Sequence, residues 1–211
     1  MSIEIFDFPQ NSPEWLEARR GVVTASEFGT VLASGRGGGE SKTRTTYMRK
    51  LAGEIICGQV AESLTTTVFD RGHAMEEDAR KYYAFVEDVE PQQVGFIRNS
   101  ALRVGYSPDF LIGANGAGEI KSKAPHLLID WLFADKFPAE HVPQCQGGLW
   151  VSEREWIDII GFYTGMPVFK KRAYRDELFI KRLAEEVELF NEELDALVAK
   201  VRAYGQERAA A

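Results

Sequence analysis

The chain has 211 residues, 45% of them hydrophobic and 27% charged, with a net charge of −7. That size suits one domain, or one domain with an appendage, and the composition is that of an ordinary soluble globular protein. The acidic balance argues against a protein that coats nucleic acid without specificity.

No apolar run reaches the roughly 18 residues a membrane span needs. The opening MSIEIFDFPQNSPEW has neither a basic nor an apolar leader region, so no secretory signal is expected. Cys57 and Cys145 are too few for a disulfide framework or a standard zinc site. A reduced, cytoplasmic location follows as the expectation.

In chain order, Ser12-Pro13-Glu14 predicts a short helix with Ser12 as its cap. Thr24 and Glu27 have capping-box spacing and predict a second start, with Phe28, Val31 and Leu32 as its apolar stripe. Residues 33–44 read as a Gly-rich basic loop, followed by a helix from Tyr47 to about Cys57 and another over 68–86. Strand-like runs cover 93–99, 102–113 and 118–122. Two helical stretches follow, around PHLLIDWLFADKF and EHVPQCQGGLWVSE. Strands over 156–164 and 168–174 come next, then a long amphipathic helix over 175–204 with Leu183, Val187, Phe190, Leu194, Leu197 and Val201 on its stripe. Helices flanking a mixed sheet of about five strands is the expected architecture. Charge is split along the chain. Residues 19–50 carry seven basic against two acidic side chains, and 176–200 carry three against eight.

The stretch GYSPDFLIGANGAGEIKSK, residues 105–123, carries the chemistry. It reads as a hairpin, with Pro108 marking a strand end and alternation placing Glu119 and Lys121 on one face while Ile120 points to the core. Such a hairpin brings Asp109 and Glu119 together across the strands. Two adjacent carboxylates repel unless a proton or cation lies between them, and a hard dication, Mg²⁺ or Mn²⁺, suits oxygen ligands. With Lys121 beside them, these are the parts of metal-assisted phosphodiester hydrolysis. Taken alone, the pattern also fits a solvated surface hairpin.

GHAMEEDARKYY offers a third carboxylate. Glu76 shares a helix face with Gly72, Ala79 and Tyr83, whereas Glu77 stands four before Lys81 in the favourable order for an exposed ion pair. Glu76 is therefore the metal-site candidate and Glu77 the solvated one. If Thr24 caps a helix, the free N–H groups of Ala25 and Ser26, the Ser26 hydroxyl and Arg19 would form an anion site suited to phosphate.

SPEWLEARRGVVTASEFG, GHAMEEDARKYY, YSPDFLI, GEIKSK and PQCQGGLWV occur in an order and spacing that resemble the lambda-exonuclease (YqaJ-type viral recombinase) family of the PD-(D/E)xK nuclease superfamily. The resemblance runs from about residue 12 to about 175 and is weakest over 33–66. It implies a single nuclease domain of α/β class with a restriction-endonuclease-like core. In it, N-terminal helices and a basic loop (1–66) would precede a catalytic core (67–174) and a C-terminal helix (175–204). It implies 5′-to-3′ digestion of one strand of linear double-stranded DNA with two Mg²⁺ ions, Mn²⁺ being a substitute. Asp109, Glu119 and Lys121 fall on the catalytic positions. Glu76 and the Ile120 carbonyl fall on further metal ligands, and Arg19, Ser26 and Gln144 on the 5′-phosphate site. Arg36, Lys42, Arg44, Phe69 and Lys123 are candidates for DNA contact. A homotrimeric ring, a single-strand annealing protein as partner, and a phage or prophage origin in a bacterial host are also implied. The rival readings are a structure-specific or restriction-like endonuclease on the same core and a non-catalytic DNA-end binder.

Overall fold

The computed structural model describes residues 3–35, 39, 41–60 and 67–209, without the side chains of 67–74 and 205–209. Arg36 and the side chain of Phe69 therefore lie outside the described residues.

Helix α1 (Pro13–Arg19) starts as its sequence dictates: Ser12 accepts a hydrogen bond from Trp15 N, and proline occupies the first turn. Thr24 does not form the expected capping box. It is extended, makes no side-chain cap, and its hydroxyl pairs with Ser26 instead, so the chain enters a 3-10 turn (Ala25–Glu27) and then the four-residue α2 (Phe28–Val31). Helix α3 (Lys42–Cys57) begins before the expected Tyr47, because Ser41 caps it through Arg44 N. Lys42 and Arg44 are thus helical rather than part of a loop. Helix α4 covers Thr67–Glu87.

Among the described residues, eight strands replace the five runs read from the sequence. β1 (Ile3–Phe6), β2 (Val23–Thr24), β3 (Phe96–Asn99) and β4 (Val104–Tyr106) form one sheet in the order β1-β3-β4-β2. β5 (Phe110–Ile112), β6 (Gly116–Ser122), β7 (Trp156–Phe162) and β8 (Phe169–Tyr174) form a second in sequence order. Both are mixed, with β2–β4 and β6–β7 parallel and the remaining pairs antiparallel. The single run expected over 102–113 is split because Pro108 has no N–H to give a ladder. Tyr106 ends in the first sheet, Phe110 begins in the second, and the bend between them carries Asp109.

Helices α5 (Pro125–Ala134) and α6 (Val142–Ser152) make the crossover between parallel β6 and β7. The paired glycines of α6, each costing about 1 kcal/mol against alanine in a helix, have a packing reason. A Cβ on Gly147 would stand 2.0 Å from the Phe28 ring, and one on Gly148 2.8 Å from the Tyr106 ring. The helix backbone therefore lies directly on two aromatic rings, and Gln144 of its first turn reaches Glu119 and Lys121 on β6.

Helix α7 (Glu177–Ala209) buries Ile180, Leu183, Val187, Phe190, Leu194 and Val198. Val201, expected on this stripe, is 45% exposed. A repeat of 3.5 residues drifts around a straight helix of 3.6 per turn, so Val198 continues the buried face. Tyr47 of α3 stacks on Phe190 with ring centroids 5.7 Å apart. One large core gathers Phe28, Ile97, Tyr106, Leu149 and Ile157 among others. A smaller one lies beneath α4 and joins Ala79 and Tyr83 to Phe110, Ile120, Ile160 and Phe162. Among the described residues, no helix is long and apolar enough to cross a membrane.

Candidate active site

The β5–β6 pairing sets Phe110 opposite Gly118 and Leu111 opposite Ala117. Continued by one residue, that register places Asp109 opposite Glu119, as the hairpin reading required. Asp109 Oδ2 accepts from the backbone N of Ile120 at 2.5 Å. Ile120 itself is buried in the smaller core. Glu119 and Lys121 share the other face of β6: Lys121 Nζ is 2.9 Å from Glu119 Oε1. Gln144, on the first turn of α6, closes the group. Its Nε2 donates to Glu119 Oε1 at 2.6 Å and its Oε1 accepts from Lys121 Nζ at 3.0 Å. Tyr106 lies beneath, its hydroxyl 3.5 Å from Glu119 Oε2.

Charge crowding governs the protonation of the cluster. Burial, and then the neighbouring Glu119 and Glu76 carboxylates, push the Asp109 carboxyl well above its ordinary range, against the pull of the Ile120 N–H. Burial works to lower the Lys121 ammonium, but the Glu119 carboxylate outweighs it and holds Lys121 above its usual value, so it stays cationic. Burial and Glu119 also raise the Tyr106 hydroxyl and the Cys145 thiol, which leaves Cys145 an inert neutral neighbour.

Helix α4 treats its two glutamates as helical geometry predicts. Glu77 pairs with Lys81 at 2.6 Å, both largely exposed. Glu76 is half-buried and near enough to Asp109 to raise its pKa. The three carboxylates form an oxygen-only donor set, and the strain on Asp109 is of the kind a hard dication relieves. That chemistry fits Mg²⁺. Asp109 and Glu119 are turned onto protein donors, however, and among the described residues no three His, Cys, Asp or Glu side chains stand in a ready-made metal cage.

A second cluster surrounds the same bend. Arg19 Nη1 donates to Ser107 Oγ at 3.2 Å, and the guanidinium lies 4.1 Å above the Trp15 ring. The Trp15 indole N–H is shared between Ser107 Oγ and Gly95 O. Burial lowers the Arg19 pKa, offset by Tyr47 and Glu54, and among the described residues Arg19 has no carboxylate within ion-pair distance. Ser107 was missed in the sequence. Its only signal there was standing two residues before Asp109. Ser26 is exposed on the 3-10 turn against which α6 packs. Gln144 is joined to Glu119 and Lys121, not to Arg19 or Ser26.

The outer candidates are more scattered. Lys42 is exposed. Arg44 is tied to Glu193 of α7 at 2.5 Å and lies over Phe190, so it is spent on packing. Lys123 sits 4.2 Å above the Trp131 ring and 3.7 Å from Glu140. Beside it, His141 meets Trp131 edge-on, and its buried Nε2 has no hydrogen-bond partner among the described residues, with Glu140 Oε1 3.9 Å away.

The model of the YqaJ-like viral recombinase domain matches residues 14–155. No curated protein matches the sequence. Among solved structures, the chain is similar to LHK-Exo, an alkaline exonuclease from Laribacter hongkongensis, both in a complex with dAMP and in a second crystal structure. Identity to the dAMP complex is 27% with a TM-score of 0.84, covering 93% of this chain and 99% of that one. A phage related exonuclease from Haemophilus somnus 129PT shares the fold, with 15% identity and a TM-score of 0.64 over 85% of this chain and 96% of that one. Family and fold together support a nuclease. With its matched segment spanning both the Arg19 cluster and the Asp109–Glu119–Lys121 hairpin, the chain belongs to the YqaJ-like viral recombinase family.

Proposed function

We propose that the protein is a Mg²⁺-dependent exonuclease that digests one strand of linear double-stranded DNA from 5′ to 3′, releasing mononucleotides. The 3′ overhang it leaves would serve single-strand annealing. The observation that carries this reading is the meeting of Asp109, Glu119 and Lys121 at the junction of the two sheets, with the Arg19–Ser107 pair on the same bend. An anchor for a chain end is what distinguishes an exonuclease from a cutter of internal bonds.

Asp109, Glu119, Glu76 and the Ile120 carbonyl would hold the two metal ions. Bound there, such ions polarise the scissile phosphate and lower the pKa of water. The chain's own groups do the rest. Lys121, held cationic beside Glu119, offsets the charge that builds on the attacked phosphate. Gln144 fixes Glu119 and Lys121 relative to each other. Arg19, Ser107 and Ser26 hold the terminal 5′-phosphate, Arg19 by its charge-assisted fork. Each cut exposes a new 5′-phosphate, and its attraction to that cluster biases movement along one strand. In a trimeric ring, acidic α7 would lie on the outer side, and a single-strand annealing protein would take up the exposed strand.

Purified protein with Mg²⁺ should degrade linear duplex bearing 5′-phosphates and leave closed circular duplex intact. Nicking or cutting of the circle would favour an endonuclease, and no turnover on either would favour a DNA-end binder.

A further inference from the structure

Beside the hairpin, a cleft of about 720 Å³ opens between α4, residues 7–10 and residues 93–95, with Asp7, Gln10, Glu76, Arg80, Gln93 and Asp109 on its walls. Arg80 is its central cation. It stands one turn after Glu76 on the same helix face, and its Nη1 reaches the Asp109 carbonyl at 3.4 Å. The Gln93 amide, oriented with its oxygen toward the guanidinium, accepts from Nη1 and Nη2 at 3.0 Å. Its neighbour Lys81 is paired with Glu77. Among the described residues, Arg80 has no carboxylate within ion-pair distance.

Arg19 has the same character. Two guanidinium groups, each held by neutral partners, thus hang on one bend: Arg19 on the side chain of residue 107, Arg80 on the carbonyl of residue 109. Residues 107 and 109 are at most about 7 Å apart, and the two guanidinium groups reach them from different helices, α1 and α4, so a strand crossing Asp109 meets one cation on each side of it. A cation next to an acidic cluster that is not neutralised by it remains available for an outside anion. The cleft is also large enough for a nucleotide rather than a bare phosphate, within the roughly 300–1,000 Å³ usual for ligand sites.

We infer that Arg80 binds the DNA phosphate immediately 3′ of the scissile one, and that its cleft holds the nucleotide that becomes the next 5′ end. This rests on the exonuclease reading and adds a second strand anchor to it. Arg19 would grip the end and Arg80 the continuing strand, with the scissile phosphate between them at Asp109.

The test compares wild-type protein and Arg80→Gln on 5′-phosphorylated linear duplex, with and without one uncharged methylphosphonate at the linkage 3′ of the first scissile bond. Neutralising that linkage should slow the first cut by wild-type about ten- to a hundredfold. Arg80→Gln should be slowed to a similar degree and lose little more on the modified duplex. The same modification two linkages further along should cost wild-type less. Losses that multiply, or a wild-type rate indifferent to the linkage, would overturn the assignment while leaving the exonuclease reading standing. No cleavage of any linear duplex by wild-type would overturn both. Should Arg80→Gln fail to fold, Arg80→Met, which also removes the charge, takes its place on the same two duplexes and is read in the same way.

Discussion

Lys121 and Glu119 stand two residues apart on one face of β6 with 2.9 Å between ammonium and carboxylate, and Gln144 bonds to both. The lysine is thereby fixed where its ammonium can meet charge developing on a bound phosphate. Lys121→Ala should lower the cleavage rate by about a hundredfold or more while the affinity for linear duplex changes little. Single-turnover cleavage beside equilibrium binding in Ca²⁺ separates the two. Turnover near the wild-type rate would remove Lys121 from the chemistry.

The Arg19–Ser107 contact makes a sharper prediction about DNA ends. A charge-assisted fork on a terminal phosphate is lost only when both partners are present to lose it. Arg19→Ala should slow digestion of 5′-phosphorylated duplex by about tenfold or more and affect 5′-hydroxyl duplex much less. Ser107→Ala should show the same preference in weaker form. Equal losses on the two ends, measured as initial rates, would argue that Arg19 only packs on Trp15.

Local periodicity was enough for the hairpin and for which of Glu76 and Glu77 turns to solvent. Alternation along β6 and the i,i+4 rule each fix a side chain's direction from its immediate neighbours. Features that depend on distant partners were not legible. Arg44 and Glu193 are 149 residues apart, so a lysine- and arginine-rich stretch looked free for DNA when one of its cations was already paired. Ser107 became visible only once α1 was laid across the bend. Thr24 had the spacing of a capping box, but the backbone there enters a 3-10 turn because α6 packs against it and fixes its path. The family resemblance supplied Gln144, which no spacing rule would have brought to Glu119.

A polar triad around the buried Asp158 sets the position of α4. Asp158, fully buried, accepts two parallel bonds from Arg172 at 2.8 Å and one from Tyr83 at 2.6 Å. Tyr83 lies two turns beyond Glu76 on α4, so the triad ties the helix bearing that carboxylate to β7 and β8. Removing the charge and removing its partner should differ. Arg172→Ala leaves a carboxylate buried without its cation and should cost about 3–5 kcal/mol. Asp158→Asn leaves Arg172, whose side chain is 36% exposed, free to turn to water, and should cost less. Urea denaturation of the two variants tests the order, and equal or reversed costs would refute it.

His141 provides a pH test that needs no DNA. Its ring meets Trp131 edge-on, and its Nε2 lies 3.9 Å from Glu140 Oε1 with no hydrogen-bond partner among the described residues. Burial, then Lys121 and Lys123, lower its pKa from 6.5 to about 4, with Glu140 opposing. Between those two values the unfolded chain binds the proton more readily than the native one, so native stability declines as pH falls through that window. His141→Gln has no proton to gain and should lose that part of the slope. Its stability relative to wild-type should therefore improve steadily from pH 7 to pH 4, read as the difference in urea midpoints at matched pH. Parallel curves for the two proteins across that range would show that the imidazole titrates at its ordinary value and is open to water.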